Sequence, residues 1–144
     1  MSLCCSTLEY ASQVWDPPEN SAEAVNLERT QRRAARFVKN DYRKLSSVTG
    51  LLRELYWSPL AQRRKHLRLN LLYQILHDEV SVQFDDGLIR RGRRNKLLQI
   101  RTNYSKLKNS FIPRTVTDWN SLNQQARDST SLESFRQCLP QALY

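Results

Sequence analysis

The chain has 144 residues, 40% of them hydrophobic and 26% charged, with three glycines and five prolines, a composition that argues against a long disordered tail and leaves enough length for one domain to bury about 70% of its unfolded surface. Lys plus Arg number 23 against 14 Asp plus Glu, a net charge of +9, and the excess is spread over several segments, which favours nucleic acid as partner and an anionic membrane surface second. Three cysteines, Cys4, Cys5 and Cys138, make a poor disulfide framework and point to a reduced, intracellular setting, nuclear or cytoplasmic.

Residues 1–15 carry Leu3, Leu8, Tyr10, Ala11, Val14 and Trp15 at mostly helical spacing. Asp16-Pro17-Pro18 stops them, because a residue before proline avoids the helical region. The start lacks the basic region and long apolar core of a signal peptide, and no run approaches the roughly 18 to 20 apolar residues of a spanning helix. A soluble protein with no membrane partner is expected. So apolar and uncapped a start is expected either to dock on the core or to have packed against something upstream.

Asn20-Ser21 is the cap signal of the next helix, with Glu23 in its first turn and an end expected near Asn40. At about 100° per residue, its central stretch LERTQRRAARFV (27–38) sets Ala24, Leu27, Gln31, Ala34, Ala35 and Val38 on one arc. Arg29, Arg32, Arg33, Arg36 and Lys39 fall on the opposite arc. Such a helix is either a solvated surface element or a face that tracks a polyanion's backbone. Ser46 or Ser47 then caps a third helix holding Val48, Leu51, Leu52 and Leu55, which Trp57-Ser58-Pro59 ends with Trp57 as a core anchor.

Pro59 suits the first turn of a helix, and 60–78 reads as the longest apolar one, with Leu60, Leu67, Leu71, Leu72, Ile75 and Leu76 on its stripe. Arg64 and Arg68 lie inside that apolar arc, where an unpaired guanidinium is costly. Arg68 is therefore expected to meet a carboxylate of another helix, Asp118 being the first to test, or to open onto a cleft. Beyond 81 the periodicity is lost. Asp85-Asp86-Gly87 is a turn signal, and Arg90, Arg91, Arg93, Arg94 and Lys96 gather around Gly92 with no acid between them. That run is a solvated loop or an electrostatic clamp on phosphates.

Residues 96–102 and 104–110 are compatible with a strand pair. Pro113 falls in the first turn of a helix whose buried stripe is Ile112, Val116 and Trp119, 124–129 reads as a polar link, and Thr130-Ser131-Leu132-Glu133 as a capping box. The last helix turns Leu132, Phe135 and Leu139 inward until Pro140.

No metal-ligand spacing, Walker loop or GxGxxG occurs, and Asp85-Asp86 precedes a turn glycine instead of lying on a hydrophobic strand. No catalytic, metal or cofactor site is expected. The candidate nucleic-acid-binding residues are Arg29, Arg32, Arg33, Arg36 and Lys39; Arg63 and Lys65, beside Arg64; and Arg90, Arg91, Arg93, Arg94 and Lys96. Tyr42, Tyr73 and Tyr104 lie near basic residues and are candidates for base stacking or for packing.

Five segments in order, LEYASQVWDP (8–17), LERTQRRAARFV with NDYRKLSSVTGLL (27–52), WSPLAQRRKHLRLNLLYQIL (57–76), NSFIPRTVTDWNSL (109–122) and SLESFRQCL (131–139), resemble the C-terminal part of reverse transcriptases encoded by LINE-type, non-LTR retrotransposons. The resemblance covers nearly the whole chain. It implies a thumb followed by a helical segment, with the palm and its metal-binding aspartates upstream, so that 1–15 is where the palm would have continued. Asp85-Asp86 inherits no role, and the thumb's grip on a template and primer duplex falls to Arg29, Arg32, Arg33 and Arg36. The chain departs from the family pattern at Tyr56, where glycine is expected, and at Asn123, where proline is expected.

The expectation is a single, mainly α, small multi-helix domain with room for one short β-hairpin near 96–110. Thumb-like helices would occupy 1–80, the basic loop and hairpin 81–108, and C-terminal helices 109–144. Its expected role is sequence-tolerant binding of RNA or RNA–DNA duplex backbone by a non-catalytic piece of an RNA-directed DNA polymerase. The alternative is a decayed or domesticated remnant acting as a structural or protein-interaction module.

Overall fold

The structure, a computed structural model, describes residues 9–43, 45–81, 92–99 and 103–139. Cys4, Cys5, Asp85, Asp86, Arg90, Arg91 and the middle of the expected hairpin lie outside them. The described residues form eight α-helices and one 3₁₀ turn, with no β-strand among them. They divide into two compact units, the boundary falling between Arg64 and Lys65.

The first unit holds α1 (Ser12–Trp15), α2 (Ala22–Lys39), α3 (Val48–Glu54) and the opening of α4 (Leu60–Leu76). Ser21 caps α2 by accepting from the Ala24 N–H at 3.2 Å. Asn40 closes it in the left-handed conformation, φ 49°, and its N–H returns to the carbonyls of Arg36 and Phe37, a common helix stop for asparagine. The inward line of α2 is Ala24, Gln31 and Ala35, with Leu27 and Ala34 half-buried, and it packs along α3. Val38, expected on that line, is exposed.

Ser47 caps α3 through the Gly50 N–H at 3.3 Å, and Leu51 and Leu52 are buried. Trp57, expected in the core, is half-buried. Two polar side chains of α2 reach the start of α4. Gln31 Nε2 donates to the Ser58 carbonyl at 2.9 Å, and Glu28 Oε1 accepts from the Ala61 N–H at 2.8 Å. The carboxylate thus satisfies an otherwise orphaned donor at the positive end of the helix.

The second unit is built on one cluster: Leu69, Leu72 and Tyr73 of α4 with Ile112, Val116 and Trp119 of α6 (Phe111–Ser121), joined by Leu97, Leu122, Ala126, Phe135 and Leu139. Tyr73 is buried, and its hydroxyl donates to the Ser129 carbonyl at 3.0 Å. Rings stack in a row from His77 to Tyr73 to Phe135 to Trp119, with centroids 4.2, 4.7 and 5.5 Å apart.

Three local expectations are corrected in this unit. Where 104–110 is compatible with a strand, Ser105–Lys108 is the helical turn α5, closed by i to i+4 bonds from Lys108 and Asn109. Residues 103–109 are all exposed, so no apolar face exists to lay on a sheet. Leu97 is bonded on both sides by one carboxamide: its N–H donates to Asn120 Oδ1 at 2.9 Å and its carbonyl accepts from Asn120 Nδ2 at 2.8 Å.

Within the expected polar link, Gln124–Arg127 forms α7, because Asn123 caps it through the Ala126 N–H and Ala126 anchors it in the core. The N-cap falls one residue later than the capping box predicts. Ser131, not Thr130, caps α8 (Leu132–Cys138), accepting from Ser134 N–H at 3.2 Å.

Candidate nucleic-acid interface

On the face of α2 opposite Gln31 and Ala35, Arg29, Arg32 and Arg33 are exposed, and Arg29 donates to Asn26 Oδ1 at 3.4 Å. Among the described residues neither Arg32 nor Arg33 has a carboxylate partner. From Arg29 to Arg36 the stripe runs about 10 Å along the axis. One strand of a duplex presents a phosphate about every 3.4 Å of axis, so the stripe matches about three consecutive phosphates.

The end of the stripe is partly committed elsewhere. Arg36 is half-buried, and its Nη1 donates to the carbonyls of Asp41 at 3.4 Å and Arg43 at 3.1 Å. Lys39 pairs with Glu54 at 2.9 Å on the surface. The loop that Arg36 grips is knotted around Asp41, which accepts from the Arg43 backbone and guanidinium and from the Ser46 hydroxyl. The Arg43 guanidinium first, then Ser46, hold the Asp41 carboxyl well below the usual carboxylate range.

The second predicted cluster turns out to be internally paired. Arg63 meets Glu9 at 2.5 Å. Arg64, 1% exposed, meets the buried carboxylate of Asp16 at 2.7 Å. Burial pushes the Arg64 guanidinium pKa down, and Glu28, Glu9 and Glu19 pull it back up. Lys65 sits 2.9 Å from Asp118, and the same carboxylate takes Arg68 at 2.7 Å. Arg68 is therefore paired with the acid expected of it. In the first unit Glu9 also lies against Arg63, and burial outweighs that cation to raise its pKa.

The third cluster is only partly described. Arg93 and Arg94 are exposed on the 3₁₀ turn Arg93–Asn95, and Lys96 is exposed just after it. This turn is anchored: Asn95 donates to Asp128 at 2.8 Å, the Asn95 carbonyl accepts from Trp119 Nε1 at 2.9 Å, and the Arg94 carbonyl accepts from Arg127 Nε at 3.3 Å. Arg94 and Asn95 hold successive left-handed conformations, φ 56° and 54°. The basic surfaces of α2 and of this turn belong to different units.

Of the candidate stacking residues, Tyr42 and Tyr104 are exposed and Tyr73 is core. Sequence reasoning missed Glu9, Asp16 and Glu28 as structural carboxylates. Asp16 precedes Pro17 and reads as a helix stop, and the only hint of its partner is Arg64 in an apolar arc. Among the described residues no group of three or more His, Cys, Asp or Glu is placed to hold a metal ion, and no helix is long and apolar enough to cross a membrane. Comparison with protein-family models, characterised proteins and solved structures finds no match to this chain.

Proposed function

We propose that this protein is a non-catalytic, thumb-like piece of a LINE-type reverse transcriptase that binds the backbone of RNA or an RNA–DNA duplex, without sequence preference, in the nucleus or cytoplasm. The observation that carries this reading is the exposed stripe of Arg29, Arg32 and Arg33 on α2, without a carboxylate partner for Arg32 or Arg33 among the described residues. The two departures from the family pattern also support it. Tyr56 has φ 53°, the left-handed region that suits glycine, and Asn123 has φ −65°, the value proline is locked to.

A salt series on a short RNA–DNA duplex tests the binding. Affinity should fall log-linearly with salt, and R29Q/R32Q/R33Q should flatten the slope by about 2 to 3, each phosphate contact being worth roughly 0.7 to 0.9. Arg63→Gln should leave the slope unchanged, because its partner is Glu9. Negligible affinity at low salt, or no slope, would sink the proposal. Incorporation of a deoxynucleotide on a primed RNA template by this chain would refute its non-catalytic part.

The second reading, a protein-interaction module, draws on Phe37, Tyr42, Leu45 and Tyr56, large apolar side chains that are exposed in the first unit. A missing salt slope combined with an intact fold favours it.

A further inference from the structure

The second unit contains a recess of about 180 Å³, walled by Leu76, Leu97 and Trp119, with His77, Arg127 and Asp128 among the residues around it. Its size decides what it holds. Ordinary small-molecule sites begin near 300 Å³, whereas an apolar cavity of about 150 Å³ takes a single benzene ring. One flat ring system is the guest that fits.

The walls suit such a guest. Trp119 is fixed by its Nε1 bond to the Asn95 carbonyl at 2.9 Å. His77, exposed, ends the stacked row that begins at Trp119, and its ring lies 25° from the plane of Tyr73. The row is rigid because Tyr73 is buried and its hydroxyl is tied to Ser129. A flat ring entering the recess meets an ordered aromatic platform and loses little to reorganisation.

The surrounding charge says what the ring is attached to. Asn95 and Leu97 both line the recess, and both lie within or beside the turn that exposes Arg93, Arg94 and Lys96. Arg127, which also lines the recess, is buried and donates to the carbonyls of Arg94 and Leu122, so the cations open to a ligand are those three. The carboxylate that lines the recess, Asp128, is already accepting from Asn95 at 2.8 Å. A flat ring with an anion close by, flanked by further anions, is a nucleotide within a strand.

We propose that this recess takes one unpaired nucleobase of a single strand, with Arg93, Arg94 and Lys96 on the neighbouring phosphates. The inference rests on the nucleic-acid reading and extends it from backbone contact to a site for an extruded base.

The test compares the intact protein's affinity for a single-stranded RNA dodecamer with that for the same strand made abasic, which keeps every phosphate. The intact strand should bind roughly 5- to 100-fold more tightly, the range that stacking of one base on an aromatic side chain gives. That advantage should vanish in both His77→Ala and Thr130→Trp, the second plugging the mouth from an exposed position that also lines the recess.

Equal affinity for the two strands would overturn the base site while a retained duplex salt slope left the backbone reading standing. An advantage that survives both variants would overturn the location. Absence of binding to either strand and to the duplex at low salt would overturn both proposals. A mononucleotide that binds as tightly as the dodecamer would overturn the assignment to a strand.

Discussion

Asp118 serves two cations, Arg68 at 2.7 Å and Lys65 at 2.9 Å, and its side chain is only 17% exposed. Removing its charge takes this carboxylate from the buried Arg68 guanidinium, and breaking a fully buried pair costs about 3–5 kcal/mol. Asp118→Asn should cost about 3 kcal/mol, at the low end because some water reaches the carboxylate. Arg68→Met should cost less, since Asp118 keeps Lys65. Urea unfolding of both variants reads the order.

The acid limb of the stability curve should depend on Asp41. Its folded pKa lies well below the roughly 3.9 of an unfolded aspartate, so its stabilisation is complete above about pH 4 and is lost as pH falls further. Asp41→Asn should flatten thermal stability between pH 2 and 4. Glu9 acts in the opposite sense: its raised pKa makes the folded chain the better proton acceptor, so stability declines as pH rises from about 4.5 through the folded value.

Tyr56 is the plainest strained residue, with φ 53° and 94% of its surface exposed. Tyr56→Gly should raise stability by about 1 kcal/mol, measured as a shift in urea midpoint. The Arg68 to Asp118 pair was legible because a guanidinium inside an apolar arc must find an anion. Its counterpart Arg64 to Asp16 was not, because Asp16 carries a stronger local message, the proline after it.

At the scale of elements, the helix ends follow their caps. Ser21, Ser47 and Ser131 each accept a backbone N–H three residues on. Ser131→Ala should cost about 1 kcal/mol in urea unfolding, and Thr130→Ala, one position out, only a few tenths. The reverse order would restore the original register of the capping box. What escaped the sequence has a common cause. Asn120 bonds both the N–H and the carbonyl of Leu97, and Asn123 turns a polar stretch into α7. In both places a side-chain amide completes backbone bonds, and periodicity carries no trace of such a substitution.

For the whole molecule, charge is the property composition predicts best and places least well. R29Q/R32Q/R33Q lowers the net charge from +9 to +6, three arginines fewer, and removes exposed charge, whereas Arg63, Arg64 and Lys65 spend theirs on Glu9, Asp16 and Asp118. The helical content of the described residues was legible from spacing. The division between Arg64 and Lys65 was not, because it falls inside one continuous helical segment, Leu60–Leu76. Trp119→Ala, at the centre of the second unit's core, should cost about 3–5 kcal/mol, seen in the urea midpoint.

The bond from Ala61 N–H to Glu28 makes one amide proton a clock for the seating of α2. Ordinarily the first amides of a helix exchange fast, because no carbonyl lies behind them. Here the acceptor belongs to the helix that displays the arginines, so deuterium reaches Ala61 only when that carboxylate lifts away. Glu28→Gln should speed exchange at this site while leaving amides in the middle of α4 slow. A polyanion laid along the outer face of α2 should slow it, reporting occupancy from the opposite side of the helix.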